Sequence, residues 1–178
     1  MKNGKNMLPR SVVACVLATL AAASHVVHAD ELGGLAGSLN EYRSLALSYQ
    51  TAPLWQGAFA AHPLDVSLEY SLGMVRAPSD KPNRDLLHVG VTPFARWWFA
   101  SNTGIELGVG ANVFSGTHLG DKRLSTAFQF GSSVGFFHRL QGTPWLLGLR
   151  LTYYSNADIK QPNPGQNYVQ LRASDIFP

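Results

Sequence analysis

The sequence predicts an all-β fold, and three observations indicate it. Apolar and polar residues alternate with a period of two along several segments, which is the pattern of strands with one apolar side. Clusters of Gly, Pro, Asn, Asp and Ser separate these segments, as expected for turns. Charged residues make up only 14% of the 178 residues, whereas Gly (17) and aromatic residues (9 Phe, 6 Tyr and 4 Trp) are frequent.

About eight strands can be placed in order. The first, 33–41, is weak because its alternation is poor, and the second alternates through Leu45, Leu47 and Tyr49. The third is the clearest, because one face of 64–74 is wholly apolar, with Leu64, Val66, Leu68, Tyr70, Leu72 and Met74. The same pattern predicts the other strands at 87–99, 105–113, 127–136, 145–153 and 169–177. Turn-rich pieces separate them at 51–53, 77–83, 101–104, 141–144 and 161–165.

Residues 1–29 have the features of a secretory signal peptide. A basic start, 1–10, precedes an apolar core, 11–23, and small residues lead to a cleavage site before Asp30. The apolar core is shorter than the ~20 residues that a helix needs to cross a bilayer. The sequence therefore predicts export, with a single mature domain at 30–178.

The predicted mature chain is electrically neutral. The three positive charges by which basic residues exceed acidic ones lie in the signal segment, at Lys2, Lys5 and Arg10. A neutral chain has no net charge to attract it to nucleic acid, so no nucleic-acid partner is expected. The single cysteine, Cys15, also lies in that segment, which excludes disulfides and thiol chemistry from the mature chain.

The strands favour an eight-stranded antiparallel outer-membrane β-barrel over a soluble sandwich or a lipocalin-like carrier. Ten or more residues per strand exceed the soluble mode of about five to six and match a tilted transmembrane strand. The apolar face carries large aromatics near strand ends, as in the aromatic girdles of such barrels. The polar face carries mostly small residues and equal numbers of acidic and basic ones, which suits a narrow lumen. The acidic residues are Asp65, Glu69 and Glu106, and the basic ones are Arg96, Arg150 and Arg172. Side chains fill a barrel of this size, so function is expected on its loops or outer wall.

The segment 149–165 carries the most specific motif, which includes Ser155-Asn156-Ala157 and Lys160-Gln161-Pro162-Asn163. It resembles the C-terminal motif of the lipid A 3-O-deacylase family (PagL type), outer-membrane esterases that remove a 3-linked acyl chain from lipopolysaccharide. Similarity extends upstream through 94–98, 113–115, 121–123 and 128–131. The resemblance implies lipid A of the outer leaflet as the partner, no cofactor, and a location in the bacterial outer membrane.

The resemblance implies a role for each matching position. The family nucleophile falls on Ser155, and the Asn that helps to hold the oxyanion falls on Asn156. Two members of the triad are replaced, because Tyr153 stands where the family has His and Asn167 stands where it has an acid. A family Gly falls on Asp158. Tyr153, Ser155 and Asn167 share the predicted apolar faces of their strands, so the site is expected on the outer wall.

The replacements bear directly on activity. A Ser hydroxyl needs a neighbouring base, and an unperturbed Tyr with a pKa near ~10 is protonated at neutral pH. His118 and Asp158 are the two candidate substitutes for the base, although no spacing requires either. Two functions therefore stay open: a weak or inactive lipid A deacylase, and a non-catalytic lipopolysaccharide-binding or structural barrel. A homodimer also stays open.

Overall fold

The computed structural model describes residues 29–177 of the chain. The predicted signal segment, 1–29, lies outside them except for its last residue. The strands, in chain order, are β1 (Asp30–Leu39), β2 (Tyr42–Gln50), β3 (Trp55–Phe59), β4 (His62–Arg76), β5 (Asp85–Ala100), β6 (Thr103–Phe114), β7 (His118–Leu119), β8 (Lys122–Arg123), β9 (Phe128–Arg139), β10 (Trp145–Ser155) and β11 (Gln166–Phe177).

Eight long strands of this part of the chain close into an antiparallel barrel. Their order is β1, β2, β4, β5, β6, β9, β10 and β11, and the pairing of β11 with β1 completes the ring. The short β3 pairs with the first half of β4 and continues the course of β2 beyond the bend at 51–54. The predicted eight-stranded antiparallel barrel is confirmed. A tight turn at Ala60-Ala61, both at positive φ, joins β3 to β4.

The predicted faces are also confirmed. On β4, Asp65, Ser67 and Glu69 are buried in the barrel, whereas Leu64, Val66, Leu68 and Tyr70 face outward. A belt of exposed Leu, Val and Phe side chains surrounds the barrel, for example Leu47, Leu107 and Leu171. Large apolar residues exposed at this density are stable only in an apolar medium, so the outer wall is that of a membrane-spanning barrel. No helix in 29–177 is long and apolar enough to cross a membrane.

An ion-pair network fills the middle of the lumen. Arg150 donates to both oxygens of Glu69 at 2.7 and 2.9 Å and, through Nε, to Glu106 at 2.8 Å. Arg172 and Arg96 also contact Glu106, each at 3.2 Å. All of these side chains are buried, so their charges must be paired to remain ionised.

The structure adds one acid to the predicted set of lumen acids. Glu31 of β1 is the third acid of the network, since it binds Arg96 and accepts from Arg172 Nη2 at 2.8 Å. Asp65 instead accepts from the indole of Trp98 at 2.6 Å. Alternation did not reveal Glu31 because the adjacent 32–34 run, Leu-Gly-Gly, interrupts the pattern.

Apolar clusters close both ends of the lumen. At the end where β10 stops, loop residues Leu119 and Leu124 insert among strand residues that include Phe114, Tyr154 and Tyr168. At the other end, Trp98, Phe137 and Leu146 pack together. The loop between β6 and β9 thus folds over the mouth of the barrel beside the end of β10, and this arrangement positions the candidate site.

Candidate functional site

The predicted site residues gather at one end of the outer wall. Tyr153 and Ser155 lie on the outward face at the end of β10, where Tyr153 is exposed and Ser155 is half-buried. Asn167 on β11 is the direct cross-strand partner of Tyr153. Directly paired residues have Cβ atoms only about 4.5–5.5 Å apart, so side chains at 153 and 167 can hydrogen-bond to each other. On the other side of β10, Ser155 is paired with Phe130 and Tyr153 with Ser132.

The loop after Ser155 is held by three polar side chains. The backbone N–H of Asn156 donates to Asn163 Oδ1 at 3.1 Å. Asn163 Nδ2 in turn donates to Asp158 Oδ1 at 3.0 Å, and Gln161 Nε2 donates to the same oxygen at 2.8 Å. Ala157 and Asp158 both have a positive φ, at 51° and 60°. Position 158, where the resemblance implies a family Gly, is therefore a left-handed one, and Asp is among the few other residues that tolerate it.

Asn156 lies beneath the site rather than in it. Its side chain is fully buried, and Nδ2 donates to the carbonyls of Leu124 at 3.0 Å and Lys160 at 2.7 Å. Both amide hydrogens are engaged, so this side chain as placed has no donor left for an oxyanion. This geometry departs from the oxyanion role that the resemblance implies for Asn156. Its bonds instead tie the β10–β11 loop to the loop that covers the barrel mouth.

The ring of Tyr153 packs over Gly165, the residue at which the loop returns to the barrel. A Cβ built on Gly165 would overlap the phenol ring and its hydroxyl, and the φ of Gly165 is +61°. Both facts favour Gly at this position: the backbone conformation disfavours a side chain, and a Cβ would displace the Tyr153 ring. Sequence reasoning did not identify this contact, although Gly165 belongs to the motif.

Neither candidate for a substitute base is hydrogen-bonded to Ser155 in the described part of the chain. His118 is exposed on β7, and its Nδ1 lies 3.2 Å from the hydroxyl of Thr117. One oxygen of Asp158 accepts the two amide hydrogen bonds described above. The structure therefore brings Tyr153, Ser155 and Asn167 together without placing a base on the serine.

Lys122 is a second contact between the loops that sequence reasoning missed. Its ammonium donates to the carbonyl of Gly165 at 3.1 Å and to Gln166 Oε1 at 2.6 Å, and it lies over the ring of Tyr42. Burial lowers the pKa of Lys122 from its ordinary value. Nearby, Lys81 binds Asp121 at 2.7 Å, and this hydrogen bond raises the pKa of Lys81. These contacts fix the loops around the end of β10.

Comparisons with known proteins agree with the fold. Residues 42–174 match the model of the family described as "Lipid A 3-O-deacylase (PagL)". The chain is 37% identical over 134 residues to the lipid A deacylase PagL of Bordetella bronchiseptica, which covers 74% of the chain and 75% of that protein. A shorter match of 61 residues, 39% identical and covering 34% of the chain and 35% of the relative, is to PagL of Pseudomonas aeruginosa. The crystal structure of the outer membrane enzyme PagL superposes with a TM-score of 0.71 at 21% identity, covering 82% of the chain and 98% of that structure.

Proposed function

The chain belongs to the lipid A 3-O-deacylase (PagL) family, and from that premise we propose that it is an outer-membrane lipid A deacylase with an impaired triad. Its substrate would be the 3-linked acyl ester of lipid A in the outer leaflet, with Ser155 as nucleophile. The observation that carries the proposal is the direct pairing of Tyr153 with Asn167 on the outward face of the barrel. Tyr153 precedes Ser155 by two residues on the same face of β10. This is the arrangement in which a base at 153 and an acid at 167 would serve Ser155.

Deacylation requires a group that accepts the proton of the serine hydroxyl. This chain has Tyr153 where the resemblance implies the His that would accept it. Ser155 Oγ would add to the ester carbonyl, and its proton must pass to a base as the new bond forms. A tyrosine at 153 does not offer the basic ring nitrogen that a His would supply, and the amide at 167 cannot stabilise a positive charge. Loss of triad members leaves only the ~10³–10⁴-fold rate over water that binding and oxyanion contacts provide in serine hydrolases. We therefore expect slow deacylation.

Asn156 would act in this reaction as a positioning residue. Its two hydrogen bonds fix the backbone that follows Ser155, and that backbone sets where the hydroxyl points. Asn163 supports the same segment through the N–H of Asn156. Neither side chain would need to touch the substrate to affect the rate.

The location of the site supports a substrate drawn from the membrane. Tyr153 and Ser155 continue the lipid-facing row of Leu149 and Leu151 to the end of β10. If residues 1–29 are a signal peptide and both ends of the mature chain lie in the periplasm, β10 runs outward and ends in the outer leaflet. An ester of lipid A could then reach Ser155 without leaving the bilayer.

The test is to express the chain in outer membranes and determine the mass of lipid A. Loss of one 3-linked acyl chain that disappears in Ser155→Ala would support the deacylase. Unchanged lipid A, even after prolonged expression, would favour the second function, a non-catalytic lipopolysaccharide-binding barrel. That alternative is supported by the absence of a hydrogen-bonded base at Ser155 among residues 29–177.

A further inference from the structure

Two arginines that take no part in the site at Ser155 lie on the wall of the barrel opposite to it. Arg43 of β2 and Arg76 of β4 are direct cross-strand partners. Both follow the outward rows of their strands, Leu45 and Leu47 on β2 and Leu72 and Met74 on β4. Like charges placed directly opposite each other destabilise a sheet unless nearby anions offset them.

The pair is only partly neutralised by the protein. Arg76 binds Asp85 with Nε at 2.5 Å and Nη2 at 3.2 Å. Within the described residues no carboxylate lies at ion-pair distance from Arg43 or from Arg84, which lines the same pocket. Two further acids border this pocket: Glu41, and Asp80, which lies 3.6 Å from Lys81.

The pocket is polar and about 400 Å³ in volume, with Arg43, Arg76 and Arg84 among its lining residues. Arginine is suited to phosphate because its planar fork donates two parallel hydrogen bonds. The pocket lies where β2 begins and β4 ends, which is the same end of the barrel as Ser155. In the ring of strands β4 is four strands from β10 in either direction, so the two places face opposite sides.

An apolar groove begins directly beside the arginines. It has a volume of about 850 Å³ and an almost wholly apolar lining. Its floor is made of the small residues Gly34 and Ala36 of β1, and Leu45 and Met74 form part of its wall. Leu45 and Met74 are each two residues from an arginine of the pair, about 7 Å along the strand. A phosphate at the arginines would therefore be joined to acyl chains in the groove without a gap.

From this continuity we propose that the β1–β2–β4 wall binds a phosphorylated, multiply acylated lipid of the membrane, at a site separate from Ser155. The phosphate lies between Arg43 and Arg76, and acyl chains occupy the groove over Gly34. The occupant is a lipid because a pocket suited to phosphate adjoins a groove suited to acyl chains. A phosphorylated membrane lipid carries both groups. This proposal does not depend on deacylation, because no group at Ser155 takes part.

The experiment is native mass spectrometry of the detergent-solubilised protein titrated with bisphosphorylated lipid A and with the same lipid A after removal of its phosphates. In the headgroup variant, Arg43→Gln with Arg76→Gln, we expect one bound lipid fewer than in the unaltered chain, or at least ~10-fold weaker binding at this site. Gly34→Leu tests the groove. The nearest atom to a Cβ at this position is the carbonyl oxygen of Ala46 at 3.8 Å, so the side chain enters the groove without a clash.

Matched controls are Arg123→Gln, an exposed arginine outside the pocket, and Val109→Leu, an exposed lipid-facing position on β6. Both should bind lipid as the unaltered chain does. As a check of folding, every variant should show the same difference in gel mobility between heated and unheated samples as the unaltered chain. The lipid A mass assay reports on Ser155 independently and should not change in any of them.

Three results would overturn the proposal. The headgroup and groove variants could bind as many lipids as the unaltered chain. The dephosphorylated lipid A could bind equally well. Finally, Gly34→Leu could convert a dimer to a monomer with no change in bound lipid, which would make the groove an interface between two copies.

Discussion

Tyr153 on β10 and Asn167 on β11 form a direct cross-strand pair whose side chains both leave the barrel on its lipid side. A histidine and a carboxylate at these two positions would be close enough to hydrogen-bond, and Ser155 follows two residues later on the same face. The backbone can therefore accommodate a Ser-His-acid arrangement, with Tyr and Asn at the two positions where the resemblance implies His and an acid.

Restoring both side chains should restore activity. We expect Tyr153→His with Asn167→Glu to raise the rate of lipid A deacylation by about 10²-fold or more, because a positioned general base typically contributes ~10²–10⁴. Either change alone should give less, since triad members act as a unit. The rate is measured by mass spectrometry of lipid A during a time course.

Ser155→Ala in the repaired chain is the control and should abolish the gain. A rate in the unaltered chain that already equals that of the repaired one would contradict the prediction. His118 and Asp158 would then be the first residues to replace in a search for the base.

The buried amide of Asn156 should stabilise the site loop. Asn156→Asp replaces a donor of two hydrogen bonds with a group that repels the carbonyls of Leu124 and Lys160. We expect the free energy of local opening to fall by about 2–4 kcal/mol. Hydrogen exchange of the amides in 156–165 measures this change.

Gln141→Glu is the matched control, because it makes the same change of amide to acid at an exposed turn. It should leave exchange in 156–165 as it was. Equal protection in Asn156→Asp and the unaltered chain would show that Asn156 does not hold the loop.

Gly165 and Tyr153 should be energetically coupled. Gly165→Ala introduces a Cβ that overlaps the phenol ring and also places a non-glycine residue at a φ of +61°. We expect a loss of about 3 kcal/mol in stability, of which about 1–2 kcal/mol is backbone strain. In a Tyr153→Ala background only the strain remains, so a double-mutant cycle in urea should give a coupling of at least about 1 kcal/mol. A coupling near zero would mean that the ring moves aside without cost.

The sequence predicts the strands and their faces well because the alternation of apolar and polar residues indicates which residues of each strand face the lipid. It predicts β4 and β10 most clearly, where large apolar residues alternate with small or charged ones. It predicts β1 poorly, since Gly33 and Gly34 belong to neither class of residue, and Glu31 was missed for that reason.

Loop contacts are not encoded in any local pattern. Asn156 bonds to Leu124, which lies 32 residues away in the chain, and Lys122 bonds to Gly165 across 43 residues. The motif around Ser155 made Asn156 a candidate site residue. Only the folded loops show that Asn156 points inward, because this depends on how two separate loops meet at the barrel mouth.

The first mature residue is expected at or near Asp30. In the barrel its carboxylate accepts hydrogen bonds from Tyr49 Oη at 2.8 Å and from the N–H of Ala52 at 2.6 Å. A chain that begins here keeps these contacts and starts at the end of the barrel. N-terminal sequencing of the protein from outer membranes checks this, and retention of Met1 or a lipidated Cys15 would contradict it.

Glu106 should be the most sensitive position of the lumen, because it contacts Arg96, Arg150 and Arg172 together. Glu106→Gln removes the charge that balances these buried cations while keeping the side-chain shape. Breaking a buried ion pair by neutralising one member typically costs about 3–5 kcal/mol, since the remaining charge is left uncompensated. We expect a loss of that size in the free energy of unfolding, measured by urea titration in lipid vesicles.

Arg123→Gln, an exposed change of one charge, should stay within about 0.5 kcal/mol of the unaltered chain. If Glu106→Gln also stays within that range, water or the remaining acids Glu31 and Glu69 neutralise the arginines, and the network does not depend on Glu106.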